Sequence, residues 1–545
     1  MSHQSVRRKY RRDKDKGKTQ KWKKRENEKG RHKIKCHVFP NQLRMLYESS
    51  PSPNLGRTSI HFFGNFGSSQ EPEDLRGLFH TIEHMIFKGT SKHNTKQLIE
   101  KFTKIGAYFN AYTSKLLTCY VVNCLTEHID LCLHYLFEML FHSTFPKKAM
   151  VKEQQVIYEE NLQANDRPET LLYDAVDMVL FEKTGLETPI DFIHPPLSRS
   201  KVISGYEEYY QPSKMLLSIV SSMSYEEVCG KVLKNLRQYA GDLGGGGYED
   251  NGGMENDDDD EMDEDDSDDD DDGMDKVMHK DMKVKGNRKG LGMRGHGIEY
   301  PYYHTQKYTQ HRTQKGCKIV LIPKKEMNTV MISVGFKTCG WSDEHRETLR
   351  MLKAVCIRGL SGRLFEELRE KHGLTYSPQV DTEYYDKMGK FVFCIEIDQK
   401  KCLDFRHEDG AMHPGGLPIL LKIIGEFIAK GPTKKEWKEI KGYLKGSMST
   451  SIEHISNLAD FNGKNYLLRD EDYRMKNCEI QSLSGVGGLV SYLDIYSTLL
   501  NDRPISVGMR CIEKYFRVDN MCLCMVGSLL PAFSTLEKMI DREFS

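Results

Sequence analysis

Residues 77–90 read Gly77-Leu-Phe-His80-Thr-Ile-Glu83-His84-Met-Ile-Phe-Lys-Gly-Thr90, and this stretch guides the prediction of the fold and the site. On a helix, His80 and His84 lie one turn apart on the same face, so both imidazoles can bind one Zn²⁺ at ~2.1 Å. Glu83 lies between them, where its carboxylate can accept a proton from water beside the metal. The five-residue pattern alone is moderately specific, and a surface helix with two solvated histidines is the alternative.

A catalytic zinc needs a third protein ligand, and the predicted helix around residues 153–160 offers one. Glu153 and Glu160 are seven residues apart, so they share a helix face with Val156 and Ile157, whereas Glu159 points elsewhere. Carboxylates on an apolar, inward face are costly unless they meet a cation. The alternative is an ordinary charged helix with its acidic groups in solvent.

The order of predicted strands and helices around this stretch recurs in the second part of the chain. A predicted strand pair at Arg44–Tyr47 and Ser59–Phe66 precedes a Gly67-Ser-Ser-Gln-Glu segment and a helix; Lys318–Ile322 and Val330–Phe336 precede Gly340-Trp-Ser-Asp-Glu and another helix. This order predicts an α+β fold of two homologous halves, each an antiparallel or mixed sheet with helices packed on it.

The second half lacks the metal-binding residues. Aligning Gly67 with Gly340 places Lys353, Cys356 and Ile357 at the positions of His80, Glu83 and His84. We therefore expect the second half to keep the architecture without a zinc site.

The chain has 545 residues and a net charge of zero, but its charges are segregated. Residues 1–35 carry 16 Lys/Arg against 4 Asp/Glu, and in residues 249–275 eighteen of 27 residues are acidic. We predict four regions: a disordered basic tail (1–35), a catalytic zinc-binding domain (36–241), a disordered glycine-rich and acidic linker (242–298), and a C-terminal domain (299–545). The tail is either a contact for nucleic acid or another anionic partner, or a solubilising extension.

Composition excludes several classes of protein. No apolar run approaches 18 residues and no hydrophobic segment follows the basic start, so we expect neither membrane insertion nor secretion. The 14 cysteines form no CxxC pair, which excludes zinc-finger and thioredoxin-like sites. Mostly buried thiols in a reducing compartment, the cytoplasm or the nucleus, are expected.

HTIEHMIFKGT, followed 76 residues after His84 by the final glutamate of ExxVIxxE, resembles the pitrilysin, insulin-degrading enzyme and mitochondrial processing peptidase family of inverted HxxEH zinc peptidases. The resemblance implies that His80, His84 and Glu160 bind one Zn²⁺ per chain, that Glu83 is the general base and that Glu153 orients the site. It also implies cleavage of peptides or unfolded protein segments in a closed chamber.

Two further segments resemble the family's substrate-binding parts. Asn110 and Ala111 match an exposed edge strand to which substrate adds as an extra strand, and Arg369 and Tyr376 match a pair that holds substrate and polarises the scissile carbonyl. The length resembles the short processing-peptidase branch, which implies a homodimer, or a heterodimer with a related subunit. The divergent tails resemble members from large DNA viruses, which would place the protein in host cytoplasm or virions. A catalytically silent scaffold that binds extended peptides is the alternative function.

Overall fold

The structure is a computed structural model, and it describes residues 33–190, 196–240, 308–407, 410–451, 453–469, 487–490 and 503–544. All of these belong to one compact unit. The predicted linker (242–298) and almost all of the basic tail (1–35) lie outside the described residues, so their predicted disorder stays a prediction.

The N-terminal half supplies six strands and seven helices among the described residues. The strands are β1 Lys33–Val38, β2 Arg44–Ser49, β3 Arg57–Gly64, β4 Tyr108–Thr113, β5 Thr118–Leu125 and β6 Met215–Ser221. The helices are α1 Leu78–Ile86, α2 Thr95–Thr103, α3 Ile129–His142, α4 Lys147–Asp166, α5 Pro168–Leu180, α6 Arg199–Tyr209 and α7 Tyr225–Tyr239.

The C-terminal half repeats this alternation. Its strands are β7 Thr309–Arg312, β8 Lys318–Pro323, β9 Thr329–Cys339, β10 Gln379–Tyr384, β11 Met388–Asp398, β12 Phe405–Arg406, β13 Met412–His413, β14 Gly487–Val490 and β15 Met521–Gly527. Its helices are α8 Arg346–Cys356, α9 Gly416–Lys430, α10 Lys434–Ser451, α11 Ile455–Leu467, α12 Ile505–Tyr515 and α13 Phe533–Glu543, with a π-helical segment at Phe365–Lys371. The prediction of two α+β halves is therefore confirmed.

Each half is built on a mixed sheet, and the strands predicted to pair, β2 with β3 and β8 with β9, are not neighbours. The strand orders are β14-β1-β2-β6-β3-β5-β4 and β10-β11-β9-β15-β8-β7. In the N-terminal sheet β6 lies between β2 and β3, parallel to β2 and antiparallel to β3. In the C-terminal sheet β15 lies between β8 and β9, parallel to β8 and antiparallel to β9. The predicted strand pairs are wrong for this reason: the alternating pattern identifies each strand but does not specify its partner.

The halves exchange helices. Helix α5 of the N-terminal half packs on β9 and β15 of the C-terminal sheet, and α11 of the C-terminal half packs on β3 and β6 of the N-terminal sheet. A glycine permits close approach at each contact: a Cβ at Gly335 would lie 3.1 Å from Val176 Cγ1, and one at Gly463 would lie 2.0 Å from Phe63 Cε2. The small core cluster around Phe63 in the N-terminal half accordingly includes Tyr466 and Leu468 of the C-terminal half.

A buried charged cluster also joins the halves. Asp177 of α5 accepts hydrogen bonds from Lys115, in the loop between β4 and β5, and from Lys390 of β11. All three residues are buried. Burial alone would raise the pKa of Asp177, but the Lys390 and Lys115 ammonium groups hold that pKa below its ordinary value.

Thirteen cysteines lie in the described part of the chain as free thiols, and all but Cys229 are buried, as expected. None of the described helices combines the length and the apolar character needed to cross a bilayer.

Candidate metal centre

Two sets of contacts hold α1, the helix that carries the HxxEH pattern: hydrogen bonds at its first turn and packing of its buried apolar side. Glu71 is buried and its carboxylate accepts hydrogen bonds of 2.8 Å from the Gly77 and Phe79 N–H groups, which are among the unpaired donors of the first turn. Burial raises the pKa of Glu71 to about 7, against the opposing effect of these hydrogen bonds. The apolar side of α1 is buried in the core, so the polar residues of the pattern share the other side. Its buried side chains are Leu78, Phe79, Thr81, Ile82, Met85 and Ile86.

His80, His84 and Glu160 converge on one point. His84 Nε2 lies 3.2 Å from His80 Nε2 and 3.4 Å from Glu160 Oε2, and His80 Nε2 lies 3.8 Å from the same oxygen. Ligands ~2.1 Å from a tetrahedral zinc ion are about 3.4 Å apart, so these separations fit a zinc site. Two imidazole nitrogens and a carboxylate oxygen this close together favour a shared cation. Among the described residues this is the one metal-competent group of three such side chains.

Helix α4 brings Glu160 to this point, but the helix lies nearer the surface than the pattern predicted. Ile157 is buried, whereas Val156 is 48% exposed, and the Glu160 side chain is 49% exposed. The assignment of Val156 to an inward apolar face is wrong, because α4 packs against α1 and α5 and leaves its other side in solvent. Glu159 is exposed and accepts a hydrogen bond from Gln155.

Glu153 contacts the outer nitrogen of a candidate ligand. Its Oε2 lies 3.2 Å from His84 Nδ1, and its Oε1 lies 2.7 Å from Lys88 Nζ. Since a carboxylate accepts, His84 donates from Nδ1 and keeps Nε2 free to bind a metal. The structure thus places Glu153 where an orienting role requires it.

The Glu83 carboxylate contacts strand β4. Its Oε2 accepts a 2.6 Å hydrogen bond from the Thr113 hydroxyl at the end of that strand. Strand β4 is the terminal strand of its sheet in the described part of the chain. Asn110 and Ala111 lie on it, and Asn110 Oδ1 accepts a hydrogen bond from the Ala111 N–H.

Arg369 and Tyr376 contact each other in the C-terminal half. Arg369 Nη1 donates to the Tyr376 carbonyl oxygen at 2.9 Å, and the guanidinium carbon lies 4.7 Å from the centre of the Tyr376 ring, which is 81% exposed as a residue. Both residues line a pocket of about 460 Å³ between the π-helical segment and β11. The cluster of His80, His84 and Glu160 contributes no residue to the lining described for that pocket.

The corresponding positions of the C-terminal half hold no metal-binding set. Lys353 pairs with Asp381 at 3.5 Å, and Cys356 is fully buried at the end of α8. Burial raises the pKa of the Cys356 thiol, so it is a poor ligand.

Sequence reasoning did not assign roles to Glu71, Lys88 and Thr113. Glu71 ends the Gly67-Ser-Ser-Gln-Glu segment, Lys88 lies in HTIEHMIFKGT, and Thr113 follows Asn110 and Ala111 on the predicted edge strand. Their spacing carries no chemical signal by itself, because Glu71 bonds to backbone N–H groups, and the partners of Lys88 and Thr113 are distant in sequence.

Two family models match the chain. A model described as "Insulinase (Peptidase family M16)" matches residues 45–191, and one described as "Peptidase M16 inactive domain" matches residues 196–444. An uncharacterized zinc protease of Bacillus subtilis, YmxG, is 27% identical over 442 residues, which cover 80% of this chain and 88% of that protein. A probable mitochondrial-processing peptidase subunit beta of Arabidopsis thaliana is 27% identical over 210 residues, 38% of this chain and 39% of that protein.

Solved structures share the fold. A protease from Helicobacter pylori superposes with a TM-score of 0.66 at 16% identity, over 91% of this chain and 100% of that one. A peptidase M16 inactive domain from Pseudomonas fluorescens superposes with a TM-score of 0.65 at 14% identity, over 91% and 98% of the two chains.

Proposed function

Because the chain belongs to the insulinase family, peptidase family M16, we propose that it is a zinc-dependent endopeptidase that hydrolyses peptides or unfolded protein segments. The observation that carries this proposal is the convergence of His80, His84 and Glu160 on one point, with Glu83 on the same helix as both histidines. Relatives named zinc proteases support it.

His80, His84 and Glu160 hold one Zn²⁺ per chain. Bound there, zinc supplies Lewis-acid chemistry, since it lowers the pKa of water and polarises a carbonyl. Glu83 accepts a proton from the attacking water at a carboxylate oxygen, and then delivers it to the amine nitrogen that leaves. Thr113 fixes the Glu83 carboxylate, and Glu153 keeps His84 in the tautomer that presents Nε2.

Strand β4 receives the substrate. A terminal strand offers its outer N–H and C=O groups to an extended peptide, which adds as a further strand at Asn110 and Ala111. Such pairing recognises the peptide backbone. We therefore expect the protein to select extended, unfolded segments with little preference for particular side chains. Thr113 at the end of β4 places the bound strand next to Glu83.

Arg369 and Tyr376 complete the site from a second chain. Their pocket is separate from the metal-binding cluster, so we propose that the Arg369–Tyr376 pair of one protomer faces the zinc of the other across a closed chamber. A homodimer satisfies this arrangement. A heterodimer with a related subunit is the alternative, and the similarity to a processing-peptidase subunit supports it.

The experiment that tests the proposal is cleavage of a mixture of unfolded peptides, read by mass spectrometry, together with the zinc content of each variant. We expect Glu83→Gln to keep its zinc and to lose at least about 10²-fold in turnover, because only proton transfer is removed. Glu160→Gln should lose zinc. Glu159→Gln is the matched control on the same helix and should change neither quantity.

The same experiment separates the peptidase from a catalytically silent scaffold. A scaffold would bind extended peptides and leave them intact with or without chelator. Cleavage by Glu83→Gln at the rate of the unmodified chain would contradict the proposed mechanism.

A further inference from the structure

Strand β4 has a hydrogen-bonded neighbour on one side only in the described part of the chain. It pairs with β5 from Tyr108 to Thr113, and its other edge is the one to which we propose that substrate adds. A terminal strand lacks the second set of backbone hydrogen bonds that fixes a central strand. The position of β4 therefore depends more strongly on the contacts that its side chains make on the two faces of the sheet.

Side-chain contacts on the two faces join β4 to different parts of the molecule. Because side chains alternate along a strand, Phe109 and Thr113 share one face and Tyr112 lies on the other. Phe109 packs against the core of the N-terminal half, and Thr113 donates to Glu83. Tyr112 packs instead against a hydrophobic cluster that includes Tyr466 of the C-terminal half. The two halves of the chain thus contact β4 from opposite faces.

A polar contact reinforces the packing of Tyr112. Its hydroxyl donates a 2.6 Å hydrogen bond to Asp460 Oδ1 of α11, the helix that the C-terminal half contributes. Asp460 Oδ2 pairs with Lys464 Nζ at 2.9 Å, and this ammonium lies 5.0 Å from the centre of the Tyr112 ring. Burial raises the pKa of the Tyr112 hydroxyl, so the group keeps its proton and donates. Hydrogen bonds to carboxylates are among the stronger ones, so this contact holds β4 against α11.

We propose that Asp460 is a positioning residue for peptide binding: through Tyr112 it holds β4 in the place where an extended peptide adds. This inference rests on the proposed role of β4 as the substrate strand. Without the hydrogen bond, β4 has to be ordered when the peptide binds, and that cost lowers the affinity. The bond between Thr113 and Glu83 lies on the other face, so the loss appears in KM and not in kcat.

The proposal is tested by fluorescence anisotropy of a labelled, neutral peptide of Ser, Ala, Val and Thr with the Glu83→Gln chain, in which turnover is suppressed. Adding Tyr112→Phe deletes only the hydroxyl and should raise the dissociation constant at least about fivefold. Tyr173→Phe is the matched control, because its hydroxyl donates from α5 to Asp381 of β10, the terminal strand of the other sheet in the described part of the chain. It should leave the dissociation constant unchanged. An unchanged value in Tyr112→Phe, or an equal rise in both variants, overturns the proposal.

Variants of Asp460 show whether the two residues act as a pair. Asp460→Ala should weaken peptide binding about as much as Tyr112→Phe does, whereas Asp460→Asn keeps an acceptor oxygen and should retain most of the affinity. Combining Tyr112→Phe with Asp460→Ala should cost no more than the larger of the two single losses, because both remove the same bond. Fully additive losses would overturn the proposal.

Two further measurements separate this inference from the proposed function. In the chain with its native Glu83, Tyr112→Phe should raise KM and keep kcat within about twofold; a fall in kcat at constant KM contradicts the positioning role. Hydrogen exchange of the β4 amides without peptide should be faster in Tyr112→Phe than in Tyr173→Phe. If the Glu83→Gln chain binds no peptide, the substrate role of β4 is wrong and this inference falls with it. If it binds peptide and Tyr112→Phe binds equally well, only the positioning role is wrong.

Discussion

Thr113 donates a 2.6 Å hydrogen bond to Glu83 Oε2, and this bond joins the terminal strand β4 to the helix that carries both candidate zinc-binding histidines. The position of the candidate base is therefore set by the strand that we propose binds the substrate.

We predict that Thr113→Val lowers kcat by about tenfold with little change in KM or zinc content, because a misplaced carboxylate transfers protons less efficiently. Steady-state kinetics on a neutral peptide measures this. Thr113→Ser keeps the hydroxyl and should restore most of kcat. Equal loss in both variants would mean that packing, and not the hydrogen bond, is responsible.

Glu153→Gln should weaken zinc binding by about 10–100-fold, since the carboxylate that orients His84 is replaced by a neutral amide. Competition with a chromogenic chelator measures the affinity. The control is Glu159→Gln, which lies outside the cluster. An unchanged zinc affinity in Glu153→Gln would show that His84 is oriented by other contacts.

Mixing Glu83→Gln chains with Arg369→Ala chains should restore activity to about a quarter of the unmodified level, because half of a randomly mixed homodimer population is hybrid and each hybrid has one intact site. Each variant alone should be nearly inactive. A chain that is active while strictly monomeric in sedimentation experiments would exclude the proposed shared site.

Asp177→Asn should lower the free energy of unfolding by about 3–5 kcal/mol, because it leaves the buried Lys115 and Lys390 without their shared carboxylate. Urea denaturation measures the loss. Glu169→Gln, at the exposed start of the same helix, should cost less than about 1 kcal/mol. Similar values for the two variants would contradict the structural role of the cluster.

His61 should make the packing of α11 on the N-terminal sheet sensitive to acid. Its Nε2 lies 3.1 Å from Ser456 Oγ, and burial lowers its pKa from 6.5 to about 4, against a smaller opposing effect of Asp460. The unfolded chain therefore binds a proton that the folded chain does not, so stability is fully present above pH 6.5 and is lost as the pH falls towards 4. The loss reaches about 3 kcal/mol.

The measurement is urea denaturation between pH 7 and pH 4.5 of the unmodified chain and of His61→Gln. The difference in unfolding free energy between the two should shrink as the pH falls. A difference that does not depend on pH would contradict a neutral, buried His61.

The sequence predicted much of the candidate site because its signals are local. The spacing of His80 and His84 on one helical turn, and of Glu153 and Glu160 on two, follows from helix geometry alone. The structure brings His80, His84 and Glu160 together and places Glu153 against His84. The roles of these residues still depend on the experiments above.

Other features depend on contacts that no local pattern encodes. The apolar residues of α5 and α11 predict buried helices, but nothing in their periodicity specifies that each covers the sheet of the other half. The position of β6 between β2 and β3, and of β15 between β8 and β9, likewise depends on contacts between residues far apart in the sequence. The Arg346–Glu347 pair reads as two surface charges at the start of a helix, and only the packing of Trp341 and its neighbours buries it.

The exchanged helices have a consequence for synthesis of the chain. Helix α5 is made long before β9 and β15, so its apolar faces leave the ribosome without the sheet that covers them. The N-terminal sheet likewise lacks its covering helix until α11 has been made. The N-terminal half therefore cannot reach its final state before α11 has been made, and its uncovered apolar surface is prone to aggregation until then.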